Sequence, residues 1–317
     1  MKRFIIHSIL FSLPLVLGSL LLFVLPFDKQ FAYHFVKGEC SNKASWMYHR
    51  VFEDERPVDI VFSGASQTGS AIMDEFITKE LNQKHRENIE VVNYGYCRRG
   101  RDIQYTMLKD LFAKKHPSIL VLEVSEDEPK KSHPVFPYLA DSNDLWGSLV
   151  MFNQRYISSI WKGITIRFES LKSKIFCKTL VDENTDYPRF GYRASSRIVS
   201  TEIIAQNAQK WKHRLAKKQT ALRRKIELNY SLHYLEKIVQ LSSKNNCEIV
   251  FLYLRESGSN LNVPLLKNEY LNFGELIILP NEIFENTNNW KDATHFNNTG
   301  AQKTSNYLIP VLAGYLK

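Results

Sequence analysis

Short apolar runs alternate with segments of helical periodicity, and this alternation limits the fold of the chain more than any other feature. The runs Val58–Phe62 and Ile89–Val92 each precede a helical pattern, at about residues 71–81 and 103–112. A third run, Ile119–Val124, is apolar in all but one position, as expected for a strand buried on both faces. Strand–helix–strand order is typical of α/β domains with a parallel sheet. We therefore predict a three-layer α/β domain with a central parallel sheet flanked by helices.

The same pattern returns near the end of the chain after a long interval. Glu248–Leu254 and Leu276–Leu279 are predicted as the fourth and fifth strands, and a last helix is predicted at about residues 301–315. Residues from about 130 to 230 lack a strand pattern, and helical periodicity begins near residue 196. We predict that this region is a basic helical insertion between the third and fourth strands.

The N-terminus carries a long segment without charge. Phe4–Phe27 contains no charged residue, and as a helix it would be about 36 Å long, whereas a bilayer core is about 30 Å thick. Two basic residues precede it, which predicts a cytoplasmic N-terminus, and no small-residue cleavage site follows. We predict an uncleaved signal anchor at residues 1–27, a juxtamembrane stalk at 28–57 and a domain at 58–317 that lies in the periplasm or outside the cell. A cleaved signal peptide is the alternative.

The positive charge is concentrated in one part of the chain. The formal net charge is +9, and residues 151–230 contain 17 Lys and Arg but only 6 Asp and Glu. A basic region outside the cytoplasm would meet an anionic glycan, another envelope polymer or lipid headgroups. The predicted anchor argues against nucleic acid as a partner. A solvated helical face remains the alternative interpretation.

Four cysteines are spread widely along the chain. They are Cys40, Cys97, Cys177 and Cys247, and their spacing fits neither a metal site nor a dithiol motif. An exported domain could contain disulfides, but the spacing selects no pairing. We predict buried thiols and assign them no role.

Candidate catalytic residues follow the first, second and fifth predicted strands, where ligands gather in an open parallel sheet. Ser66 lies on a strand-to-helix turn, near free N–H donors that favour an anion. Gly95 can bring a backbone N–H close to a ligand. Asp292 and His295 stand three residues apart, so on a helical turn they would face the same way. We predict that Ser66 is a nucleophile, His295 its base, Asp292 the carboxylate that orients the imidazole, and the N–H groups of Ser66 and Gly95 an oxyanion hole.

Each of these signals has a simpler interpretation when it is taken alone. Ser66 could be only a helix cap, and Gly95 could be only a turn residue. Asp292 and His295 could bind a metal, but no further His or Asp follows at a usable spacing. The prediction requires no metal and no organic cofactor.

Together the motifs resemble those of the SGNH hydrolase superfamily. Gly64–Ser66 is similar to its first block, Gly95 to the oxyanion glycine of its second block, and Asp292–His295 to its terminal Asp-x-x-His. The resemblance covers residues 58–125 and 245–317 and implies an SGNH-like fold with a Ser–His–Asp site. It also implies serine-dependent acyl transfer or hydrolysis.

The sequence departs from that family at one position. The family supplies an oxyanion-stabilising Asn after the third strand, whereas residues 123–128 contain none. Departures of this kind, together with an N-terminal anchor, resemble a branch that includes alginate O-acetyltransferase proteins and the D-alanine transfer protein of teichoic acid modification. That branch implies O-acylation of an envelope polymer through an acyl-Ser66 intermediate, beside a multipass membrane-bound O-acyltransferase. The alternatives are a carbohydrate esterase or lipase, and a catalytically silent glycan-binding accessory subunit.

Overall fold

The computed structural model describes most of the chain. The described residues are 1–24, 27–38, 40, 42–85, 88–148, 153, 155–176, 186–217 and 220–316.

Five parallel strands form the central sheet. In chain order they are β1 (Ile60–Gly64), β2 (Val91–Gly95), β3 (Ile119–Val124), β4 (Glu248–Tyr253) and β5 (Glu275–Ile278). Their spatial order is β2-β1-β3-β4-β5, and every neighbouring pair is parallel. Each predicted strand overlaps one of them, which confirms the α/β class with a parallel sheet. The chain goes from β1 to one side for β2 and then to the other side for β3, so a crevice opens at the carboxyl end of β1.

The α-helices of the described residues precede, connect and follow these strands. They are α1 (Lys2–Val24), α2 (Lys29–Phe35), α3 (Lys43–Tyr48), α4 (Ser66–Ala71), α5 (Asp74–His85), α6 (Arg101–Phe112), α7 (Phe136–Leu139), α8 (Ser142–Gly147), α9 (Tyr156–Ile175), α10 (Thr201–Ala216), α11 (Ala221–Lys244), α12 (Lys267–Leu271), α13 (Asn281–Glu285) and α14 (Asn298–Ala313). The predicted helices near 71–81, 103–112 and 301–315 correspond to α5, α6 and α14.

The sheet has a separate apolar core on each face. Within β3, Leu120 and Leu122 belong to the core that α6 and α11 cover, whereas Ile119 and Val121 belong to the core that α5 and α14 cover. Successive side chains of a strand point to opposite faces, so a strand between two helical layers must be apolar at nearly every position. This requirement explains why the strand runs could be recognised in the sequence.

The segment predicted as a stalk packs against the domain instead. Ala32, Tyr33, Trp46 and Met47 are all buried in the core on the α6 side of the sheet. Its α-helices α2 and α3 have only seven and six residues, and a five-residue π-helix, His49–Glu53, follows α3 directly. Elements this short show no clear helical period in the sequence. Residues 28–57 therefore share the core of the domain and do not extend from it as a stalk.

The predicted insertion does lie between β3 and β4. It contains the helices α7 to α10 and the first half of α11, which continues past residue 230 and covers the sheet. The insertion therefore merges with the domain at its C-terminal end.

The N-terminal helix α1 is long and apolar enough to cross a membrane. Residues 2–23 have a mean hydropathy of 2.2, and most of their side chains are exposed, whereas Phe23 at the end of the stretch is buried. Among the described residues it is the one helix with this property.

Two of the four cysteines form a disulfide, which corrects the prediction of buried thiols without a role. Cys40 and Cys97, 57 residues apart, join the segment after α2 to the loop after β2. Cys247 is a free buried thiol, as predicted, and Cys177 lies outside the described residues. The spacing of the cysteines in the sequence did not reveal this disulfide, because Cys40 and Cys97 are brought together only by the fold.

Candidate active site

Ser66 is the first residue of α4, directly after the turn that ends β1. The turn is tight: a Cβ at Gly64 would lie 2.6 Å from Cβ of Glu123 in β3. The buried Glu123 carboxylate accepts hydrogen bonds from the N–H of Ala65 at 2.8 Å, the N–H of Thr68 at 3.0 Å and the Thr68 hydroxyl. Glu123 therefore holds both ends of the turn that presents Ser66.

Asp292 and His295 lie in a bend between Trp290 and Phe296, which form an isolated antiparallel bridge. Asp292 Oδ1 accepts the N–H groups of Thr294 at 2.8 Å and His295 at 2.9 Å. These bonds, and not a helical turn as predicted, bring the two side chains together.

The three predicted catalytic side chains form a continuous hydrogen-bonded chain. His295 Nε2 lies 2.7 Å from Ser66 Oγ, and His295 Nδ1 lies 2.9 Å from both carboxylate oxygens of Asp292. With Nδ1 donating to the carboxylate, Nε2 is left as an acceptor for the Ser66 hydroxyl proton. The structure therefore brings together two segments that are 229 residues apart in the chain.

Hydrogen bonding keeps the carboxylate ionised. Burial alone would raise the pKa of Asp292, but hydrogen bonds from the His295 ring and from the Thr294 and His295 N–H groups hold that pKa well below its usual range. An ionised carboxylate at this position stabilises the imidazolium that forms when His295 takes a proton.

The two predicted oxyanion donors differ in their surroundings. The N–H of Ser66 is at the first turn of α4, and no acceptor among the described residues pairs with it. The N–H of Gly95 already donates to Asn93 Oδ1 at 2.9 Å, and a Cβ at Gly95 would lie 2.6 Å from Gly69 Cα. Gly95 thus permits close contact between β2 and α4, and its N–H would have to leave Asn93 before it could bind an oxyanion.

An extended segment, residues 186–200, joins the two halves of the site, and we call it the strap. Its Arg193 N–H donates to the carbonyl of Gly69 in α4 at 2.8 Å. Further along, the Val199 N–H donates to the carbonyl of Trp290, two residues before Asp292, at 2.9 Å. The strap therefore holds α4, which begins at Ser66, and the bend that contains His295 (the histidine bend) in a fixed relative position. It was missed in the sequence because an extended segment outside the sheet has no periodicity.

The histidine bend is also held from its other side. The carbonyl of Ala293 accepts the N–H of Ser257 at 3.1 Å and its hydroxyl at 2.6 Å. Asn207 in α10 donates to the carbonyl of Ser257 at 2.7 Å. The insertion thus contributes to the rigidity of the site.

A basic cavity of about 900 Å³ lies among the loops after β2 and β3 and the helices α10 and α11. Its lining includes eight Lys and Arg side chains and two carboxylates. Arg99 connects this cavity to the start of α4, because it lines the cavity and its guanidinium donates to Oε1 of Gln67, the residue after Ser66, at 2.8 Å. Arg99 also pairs with Glu256 at 2.9 Å, which fixes its position. Neither Arg99 nor Gln67 stood out in the sequence.

Two further observations bear on ligands and relatives. No group of three His, Cys, Asp or Glu side chains in the described part of the chain is arranged to hold a metal ion. The sequence matches no protein-family model and no curated protein.

Proposed function

We propose that this chain is a membrane-anchored protein of the SGNH type that transfers an acyl group through Ser66 to a hydroxyl of an anionic envelope polymer. The observation that carries the proposal is the 2.7 Å contact between His295 Nε2 and Ser66 Oγ, with Asp292 behind the ring. Nucleophile, base and orienting carboxylate stand in the order that acyl transfer requires.

The reaction proceeds in two halves. Ser66 Oγ attacks the carbonyl carbon of the acyl donor while His295 Nε2 takes the hydroxyl proton. The tetrahedral intermediate collapses, and His295 returns the proton to the departing donor group, which leaves an ester on Ser66. An acceptor hydroxyl then attacks that ester, His295 takes its proton, and collapse restores the Ser66 hydroxyl. The N–H of Ser66 faces the developing oxyanion in both halves.

The basic cavity supports an anionic acceptor. An excess of cationic side chains in a concave site attracts polyanions and retains them near the wall formed by Arg99. Glycans with carboxylate or phosphate groups fit this chemistry, because the lining has eight cationic side chains and only two carboxylates.

The anchor and the disulfide support a location outside the cytoplasm. A helix of the length and apolar character of α1, preceded by two basic residues, favours a cytoplasmic N-terminus and an exported domain. Cys40 and Cys97 form a disulfide, which persists in oxidising compartments. By resemblance to the envelope branch, a multipass O-acyltransferase would supply the acyl group across the membrane.

The test for the nucleophile is acylation by an aryl acetate in the presence and absence of an anionic glycan. Wild type should form acetyl-Ser66, detected by mass spectrometry, and a glycan hydroxyl should accelerate its turnover. Ser66→Ala should abolish the adduct. Ser70→Ala is the matched control, because Ser70 lies in the same helix but its hydroxyl is buried and bonded to the Gln67 carbonyl. An adduct that persists in Ser66→Ala refutes the proposal, and turnover by water alone indicates an esterase or lipase.

The test for the acceptor class compares binding of polygalacturonate with binding of neutral dextran. Lys131→Gln with Lys217→Gln removes two cations of the cavity. Lys84→Gln with Lys244→Gln removes two exposed cations elsewhere. Only the cavity variant should bind the polyanion more weakly, by about tenfold. An equal loss of affinity in both variants would mean that the net charge of the protein, and not the cavity, determines the binding.

One observation favours a second candidate, the catalytically silent glycan-binding subunit. The Gly95 N–H is taken by Asn93, so of the two predicted oxyanion donors only the Ser66 N–H lacks an acceptor among the described residues. Loss of one such donor typically reduces rates by about 10²–10³-fold. Wild-type protein that binds the polyanion but forms no acyl-serine would establish this role.

A further inference from the structure

Helix α9 carries an apolar stripe that faces away from the protein. Its members recur at steps of three, four or seven residues, so they lie along one side of the helix. They are Ile157, Trp161, Phe168, Leu171 and Ile175, with 84%, 70%, 54%, 37% and 65% of their surface exposed.

The opposite side of α9 makes the contact with the domain. Ser159, Gly163, Ile166, Arg167 and Ser170 are buried there, and most of them are small or polar. The most apolar side of this helix therefore faces outward, the reverse of the usual arrangement in a domain surrounded only by water.

The position of α9 relative to the anchor indicates what covers the stripe. The Arg167 guanidinium lies 4.7 Å from the ring centre of Phe23 and 4.5 Å from that of Phe27. Lys174 Nζ lies 3.7 Å from Asp28 Oδ2. Phe23 is the last residue of the stretch that is apolar enough to span a bilayer, so α9 lies where the chain would leave the membrane.

Charged side chains border the stripe in the pattern of an interfacial helix. Lys172 and Lys174 are exposed and flank it, Lys162 donates to the carbonyl of Pro134 in the domain, and Glu169 is the one acidic residue of α9. Lysine side chains at such positions extend towards headgroups while their stems cover apolar surface. Trp161 has the size and polarity preferred at the boundary between headgroups and acyl chains.

We propose that α9 lies in the membrane surface, with its apolar stripe inserted among the acyl chains and its lysines among anionic headgroups. The inference rests on the membrane anchor proposed above but not on the acyl-transfer chemistry. Together with α1, such a helix fixes the orientation of the domain on the bilayer and not only its distance from it.

The test uses the full chain in nanodiscs made with ordinary lipid or with lipid brominated near the headgroup end of its acyl chains. The sequence has five tryptophans, so the fluorescence of Trp161 is taken as the difference between wild type and Trp161→Phe. This subtraction also removes Trp146, which packs against Phe23 close to the bilayer. The difference should fall by about half or more in brominated nanodiscs.

Two glutamate variants sharpen the result. Phe168→Glu places a charge in the stripe and should relieve the quenching. Leu222→Glu places one at a similarly exposed apolar residue of α11, 69% exposed, and should not. If brominated lipid leaves the difference fluorescence of Trp161 unchanged, the inference is refuted. The stripe would then face water, a second copy of the chain or another protein. If α1 is not an anchor, the chain will fail to enter nanodiscs at all, which separates the two failures.

Discussion

Replacement of Glu123 by glutamine tests whether this carboxylate positions the nucleophile. Its Oε2 accepts three hydrogen bonds, from two N–H groups and one hydroxyl of the Ser66 turn. Glutamine retains one oxygen of the same size at that position but loses the charge. Since bonds to charged groups contribute about 1 kcal/mol more than neutral ones, the free energy of unfolding should fall by about 3 kcal/mol.

The same change should slow acylation of the protein that remains folded. With weaker bonds at Ala65 and Thr68, the turn that carries Ser66 relaxes, and a displacement of about 1 Å in a reacting group can lower a rate about 10²-fold. We expect a 10- to 100-fold lower rate of acetyl-Ser66 formation from an aryl acetate, measured by rapid quench and corrected for the folded fraction in urea titrations.

Asp102→Asn is the matched control for this experiment. Asp102 is also buried, and its Oδ2 accepts three hydrogen bonds, from Ser132, His133 and Tyr230. The Asp102→Asn variant should lose about as much free energy of unfolding as Glu123→Gln, but its acylation rate should stay within about threefold of wild type. An unchanged rate in Glu123→Gln, or an equal loss of rate in both variants, would refute the positioning role.

Three further predictions concern the rest of the site and its support. The hydrogen bonds that lower the Asp292 pKa stabilise the fold when that carboxylate is ionised. In urea titrations, the difference in unfolding free energy between wild type and Asp292→Asn should be constant above about pH 5 and shrink as pH falls below about 4. A difference that grows in acid would contradict the assignment. Gly95→Ala should lower the free energy of unfolding by about 3 kcal/mol, because the added Cβ would meet the backbone of α4. Gly69→Ala should change it by less than about 1 kcal/mol, because the nearest neighbour of its Cβ would be 3.4 Å away. Equal effects would mean that the contact at Gly95 is easily relieved. Cys97→Ser should lower the free energy of unfolding by about 4 kcal/mol under oxidising conditions, since the disulfide closes a long loop, and by little in reductant. An equal loss under both conditions would mean that the substitution acts through packing and not through the disulfide.

The residues that could be predicted are those whose role is local. Buried parallel strands are apolar at nearly every position, so β3 was located to the residue and the others to within two or three. Ser66, His295 and Asp292 were recognisable because short motifs follow strands whose ends share one edge of the sheet. Their contact at 2.7 and 2.9 Å agrees with the geometry expected of a nucleophile and its base.

The features that were missed depend on distant partners. The short helices α2 and α3 form because Tyr33 and Trp46 are buried against the domain, not because of a pattern of their own. Glu123 stood out only as a departure from a motif, since its partners are more than 50 residues away. The strap and the disulfide are likewise defined by contacts between remote segments.

The separation of Ser66 and His295 along the chain has a consequence for synthesis. His295 is 229 residues after Ser66, and the strap and the strands β4 and β5 lie between them in the chain. Under the proposed function, a nascent chain of the first 290 residues has the nucleophile Ser66 but not yet its base His295. The proposed acyl transfer would therefore require the end of the chain, and a chain truncated before His295 should form no acyl-Ser66.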